Sequence, residues 1–125
     1  MSTIADEYHG IIIREGLRDR SILDRMHILG SKNGKEWTLI RVGMSGKDLP
    51  DIVSVVQRNL LTERGVPFYA HFYNKEELIV VFPERIFHLK QEKSSWEPVV
   101  SYGKSLGISE KELDFKPCRF SEETY

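Results

Sequence analysis

Residues 66–90 alternate between purely apolar and mixed positions with the period of two that a strand imposes, and they read as a three-stranded meander. Aromatic residues crowd positions 67–73, and aliphatic, largely β-branched ones fill 78–82, as strands prefer. Asn74, Lys75, Glu76 and Glu77 form a hairpin loop of ordinary length between them. A symmetric hairpin pairs Tyr73 with Leu78, His71 with Val80 and Tyr69 with Phe82. Pro83, Glu84 and Arg85 make the next turn, after which Ile86 pairs with Phe82 and His88 with Val80. One face then holds Phe68, Ala70, Phe72, Ile79, Val81, Phe87 and Leu89, all apolar, and is the expected core face. The other holds Tyr69, His71, Tyr73, Leu78, Val80, Phe82, Ile86, His88 and Lys90. A one-residue slip swaps the faces and destroys the apolar set, which favours this register.

The same patterning supplies the other elements. Residues 8–14 (YHGIIIR) predict a central strand buried on both faces. A short helix near residues 21–25 starts at Ser21, and Asn33-Gly34 centres a hairpin whose return strand is the alternating stretch 36–42. Residues 48–64 form the clearest helix, with Leu49, Ile52, Val53, Val56 and Leu60 as one stripe and Gly65 as its stop. A second helix follows Ser94 or Ser95, carries Trp96, Val99, Tyr102 and Leu106 on its apolar side and ends at Gly107. Ser109 to Glu112 matches a capping box and predicts a final helical turn. Residues 1–7 are expected to fray, and the tail from Phe115, with Phe120 and Tyr125, is expected to pack back on the body.

Runs of adjacent strands joined by hairpins point to an α+β fold: a mostly antiparallel sheet with two main helices, in the form of an elaborated ferredoxin-like sandwich. With 125 residues, a single domain over 1–125 is expected. The stretch HFYNKEELIVVF resembles small prokaryotic proteins, a likeness that implies no activity.

Composition changes the picture mainly by exclusion. The net charge is −1, so no global basic field draws the chain to nucleic acid or an anionic membrane. Residues 14–41 hold seven Lys or Arg against four acids, a mild excess that reads as a solvated surface. Exposed aromatics on a sheet can stack bases, but the positive field needed for affinity is thin. The single cysteine, Cys118, permits no disulfide within the chain and no cysteine-based zinc motif, and it suits a reducing cytoplasm. Arg119 beside it lowers a thiol pKa in principle, yet an inert thiol is the simpler reading. No signal-peptide pattern opens the sequence, and no apolar run approaches a membrane span.

The chemistry concentrates on the mixed face. His71 and His88 lie two strands apart, about 9.6 Å between backbones, and no third ligand joins them, so no metal or other cofactor is expected. Gly43-Met44-Ser45-Gly46-Lys47 lacks the spacing of a phosphate loop and reads as a turn. Tyr69 and Tyr73 flank His71 on one side of one strand and can line a pocket or an interface. If both helices cover the other face, Leu78, Val80, Phe82 and Ile86 leave an apolar patch here, and a homodimer through it is the first expectation. The alternative is a small-ligand-binding protein or enzyme with a pocket on this face. There His71 is the acid–base or anchoring group, and Arg41 holds an anionic group if its strand adjoins the site. No nucleophile or cofactor motif is present, which leans away from an enzyme.

Overall fold

The computed structural model describes residues 6–113. The expectations for Cys118 and for the tail bearing Phe115, Phe120 and Tyr125 lie outside these residues. Eight strands and two α-helices follow in chain order: β1 (Tyr8–Ile13), β2 (His27–Asn33), β3 (Thr38–Met44), α1 (Leu49–Asn59), β4 (Thr62–Glu63), β5 (Val66–Pro67), β6 (Ala70–Tyr73), β7 (Glu77–Val81), β8 (Ile86–Lys90) and α2 (Glu97–Ser105). Short 3₁₀ turns occupy Arg14–Gly16, Arg20–Arg25, Lys93–Trp96 and Glu110–Leu113. The fold is α+β with a six-stranded sheet in the order β2-β3-β1-β6-β7-β8, antiparallel at every pairing.

β1 is central, as its isoleucines suggest, and Gly10 explains how it sits so close to β6. A side chain there would meet the Phe72 ring at 2.4 Å, so the bare glycine lets Phe72 lie flat across the ladder. The β2–β3 hairpin is present, but its turn falls two residues beyond the expected centre at Asn33-Gly34: Asn33 still pairs with Thr38, the Gly34 N–H donates to the Trp37 carbonyl at 2.8 Å, and the bend is at Lys35-Glu36. The 3₁₀ turn at residues 20–25 is capped by Asp19, which accepts from the Ser21 N–H, rather than by Ser21 itself. Asp6 and Glu7, within the stretch expected to fray, make contacts with the β3 end and β2. The Glu7 N–H donates to the Met44 carbonyl, its carboxylate accepts from the Gly46 N–H, and Asp6 pairs with His27 at 2.8 Å.

α1 covers one face of the sheet. Leu49, Val53 and Val56 pack against Ile12, Ile40, Val42, Ala70, Phe72, Ile79 and Val81. The helix stops at Asn59, five residues short of the expected last residue, Arg64. Leu60 is extended and bridges Leu17, while the Leu61 N–H donates to the Gly16 carbonyl. Burial of Leu60 and these outside partners outweigh the remaining helix propensity. Residues 62–67 instead form the β4–β5 hairpin, with Arg64 at φ 53° and Gly65 at φ 80°. Two successive positive φ values are the signature of a tight primed turn, so Gly65 serves a hairpin and not a helix end.

α2 covers the opposite face, and only over β6–β8. Trp96, Val99 and Tyr102 pack with Tyr73, Leu78, Val80, Phe82 and Phe87. This overturns the expectation of two helices on one face. Leu78, Val80 and Phe82 are fully enclosed beneath the chain's own helix and present no patch to a second copy.

The β6–β7 register is the expected one, with Tyr73 opposite Leu78 and His71 opposite Val80. The β7–β8 register is shifted by one. The Phe82 N–H donates to the Arg85 carbonyl at 2.8 Å, so the loop has four residues and Ile86 pairs with Val81. The slip turns β8 over. His88 faces the α1 side opposite Ile79 and is exposed, while Phe87 takes the place opposite Val80. The expected row of His71, Val80 and His88 is therefore His71, Val80 and Phe87. Aromatic packing holds the shift: Phe87 meets Phe82 at 6.0 Å and Tyr102 at 5.3 Å, with the Arg85 guanidinium 4.5 Å above the Phe87 ring.

Candidate functional site

Because α2 covers only half of its face, the remaining half, over β1, β3 and β6, opens as a cleft of about 1130 Å³. Its floor follows from strand alternation. Arg41 is opposite Ile11, and Ile11 is opposite His71, so these three side chains form one row across β3, β1 and β6. Ile13 and Leu39 form the next row along. The rest of the lining comes from the β4–β5 hairpin, from Phe68 and from Gly107, Ile108, Ser109 and Glu112, with Gly107 lying against Val66 of the hairpin. Trp37 closes one end and meets Phe68 edge to face at 5.0 Å.

The cleft gathers four of the residues the sequence singled out: Arg41, Tyr69, His71 and Tyr73. It leaves out the other three. Val80 and Phe82 lie under α2, and His88 is on the opposite side of the sheet. Tyr69 donates its hydroxyl proton to the Glu112 carbonyl, which ties β6 to residues 107–112. Its ring packs on Phe82 at 5.5 Å, so Tyr69 joins the cleft to the packed half of the face. Tyr73 is almost fully buried, with its ring 5.9 Å from His71 and 6.3 Å from His9.

Arg41 is the unusual member. It is 6% exposed, although it carries a full charge and lines an open cleft. A buried cation is costly unless anions or dipoles compensate it. Its field is felt at His71, whose imidazole is pushed down to about 4, first by burial and then by the Arg41 charge. His71 is consequently neutral at physiological pH, able to donate at one ring nitrogen and accept at the other. The rim charges are all exposed and of mixed sign: Lys32 and Arg64 against Glu36, Glu63 and Glu112.

Chemically, the arrangement offers an apolar floor, aromatic walls, one deep cation and a neutral imidazole. It offers no cation site, for no group of three or more His, Cys, Asp or Glu able to hold a metal ion occurs among the described residues. The sequence reading missed Trp37, Phe68, Ile11, Ile13 and Leu39 as lining, having assigned Phe68 and the β1 isoleucines to the core. The signal for the walls was present at Arg64-Gly65, a two-residue turn between short extended segments, but the long apolar stripe of α1 concealed it. A smaller hollow of about 290 Å³ by β2, lined by Asp6, His27, Ser45 and neighbours, contains the Asp6–His27 pair. Among the described residues no helix is long and apolar enough to cross a membrane. Against known protein families, curated proteins and solved structures, the chain finds no match.

Proposed function

We propose that the protein binds a small organic molecule in the cleft over Arg41 and His71. The observation that supports this best is the pairing of shape with charge. A concave, mainly apolar site of small-molecule size has a buried guanidinium in its floor. An amphipathic ligand suits that combination better than a flat protein surface does. A binding role without chemistry is the simpler version. If a reaction occurs, His71 is the group placed to donate or accept a proton.

Self-association remains the rival, now restricted to the open half of the face. Its support is the partial exposure of Ile13, Trp37 and Leu39 there. In architecture, we read β3–α1–β6 passing around β1 as one split β-α-β unit, the half that a ferredoxin-like sandwich shares with this fold. α2 on the other face is the departure from that plan.

Methyl and indole NMR of the full chain against a small-molecule library distinguishes the two. Ligand binding is expected to shift Ile11, Ile13, Leu39 and Trp37 signals together, leaving Val53 and Val56 under α1 unmoved. Cleft signals that ignore every compound but move on dilution, with a dimer mass in native spectrometry, would replace this reading with self-association.

A further inference from the structure

Resting on the proposed cleft reading, we infer that its ligand is an uncharged planar aromatic molecule, amphipathic through a hydroxyl or amide and not through an ion, with its ring seated against Trp37 and Phe68. Both of these rings line the cleft and are half-buried, and they stand at 82° to each other with centroids 5.0 Å apart. Aromatic rings prefer to stack with an offset or to meet edge to face. A perpendicular pair offers a third ring both arrangements at once, because a plane parallel to one ring is perpendicular to the other. An aliphatic chain gains nothing from that corner beyond its buried area. The floor beside it is Leu39, two residues along the chain from Trp37, and its β1 partner Ile13. These side chains can cover the rest of a flat apolar body without leaving a polar group unsatisfied.

The polar groups of the lining select against an ion. Arg41, Tyr69, His71 and Tyr73 are each already engaged within the chain, Tyr69 by giving its hydroxyl proton to the Glu112 carbonyl. His71, neutral at physiological pH, supplies no counter-charge. A charged group drawn into the cleft therefore gives up its hydration and finds no free counter-ion among these four residues, which is the costly case of charge burial. At the rim both signs are exposed, Arg64 against Glu36 and Glu63, so neither anions nor cations are steered in. An uncharged ligand avoids the desolvation cost, and a single hydroxyl or amide can stay hydrated at the open mouth.

Calorimetric titration of the full chain at neutral pH tests this with 2-naphthol, 2-naphthoate and 2-naphthylmethylammonium, which share a ring system and differ in charge. The fourth probe, 1-octanol, keeps the hydroxyl and loses the ring. 2-Naphthol is expected to bind at least about tenfold more tightly than either ion, the direction set by unpaired charge burial. Its advantage over 1-octanol is expected to be about three- to tenfold, the scale of an aromatic pair. In Trp37→Leu, which keeps apolar bulk, that advantage is expected to fall towards one while the affinity for 1-octanol holds. A purely structural role for Trp37 would weaken all four probes alike. Should Trp37→Leu not fold, the order of affinities in the unaltered protein still decides. Either ion binding as tightly as 2-naphthol would overturn the uncharged ligand, and 1-octanol binding as tightly would overturn the aromatic one; both results leave the cleft reading standing. Binding of none of the four would overturn the cleft reading as well.

Discussion

At His71, burial and the Arg41 charge act in the same direction, and the consequence is measurable. The imidazole falls from an ordinary 6.5 to about 4 on folding. Between those values the unfolded chain binds the proton and the folded chain does not, so stability is full above about 6.5 and declines as pH falls towards 4. At ~1.4 kcal/mol per pH unit the loss is at most roughly 3 kcal/mol, trimmed by the partial exposure of His71 to the cleft. Urea unfolding at pH 7 and pH 4.5 is expected to show a much smaller drop for His71→Phe than for the unaltered protein. Equal drops would mean that the imidazole is not held neutral. Glu15 acts lower on the scale: burial works to raise its carboxyl, but hydrogen bonds from the Thr38 N–H and hydroxyl outweigh it and lower it. That contribution survives in the variant, which isolates the histidine. His71 and its tyrosine neighbours were legible in sequence because alternation alone puts them on one face. The depth of Arg41 was not, since nothing in residues 36–42 shows that β1 and β6 will enclose it.

α2 settles what the mixed face is for. Its apolar side, Trp96, Val99 and Tyr102, was readable from spacing, and so was its end at Gly107, where the Ile108 N–H returns to the Gly103 carbonyl. Which face it would cover was not readable, because both faces of β6 and β7 offer apolar partners. With Val80 fully buried against α2, Val80→Asp places an unpaired charge in a closed core. The expected outcome is a global loss of roughly 3–5 kcal/mol, seen as a large fall in the urea midpoint. A variant that stays fully folded and merely changes its oligomeric state would show that this face is free of α2 in solution. The β7–β8 slip teaches the same lesson: Pro83 announced a turn but not its length, and one residue more in the loop moved His88 to the far side of the sheet.

For the molecule as a whole, the sheet is anchored at its centre and guarded at its β2 edge. β1 has strands on both sides and α1 beneath it, whereas β2 pairs only with β3 and slips register between Ile28 and Gly30. A bulge and Lys32 on an outer strand are familiar obstacles to edge-to-edge pairing, which argues against a dimer through β2. Hydrogen exchange is expected to be slowest in β1, β6 and β7 and clearly faster in β2. Protection of β2 equal to that of β1 would point to a partner strand on that edge.

Alternation of side chains determined, from sequence alone, the α+β class, the β6–β7 register and the grouping of Tyr69, His71 and Tyr73, because a strand's period is local and leaves no choice. The cleft was decided by tertiary structure. It exists because α2 packs over β6–β8 and leaves the β1–β3 side of that face uncovered, and because α1 yields to a hairpin at Leu60. Both are competitions between distant surfaces for the same apolar area, and no local pattern records which one wins.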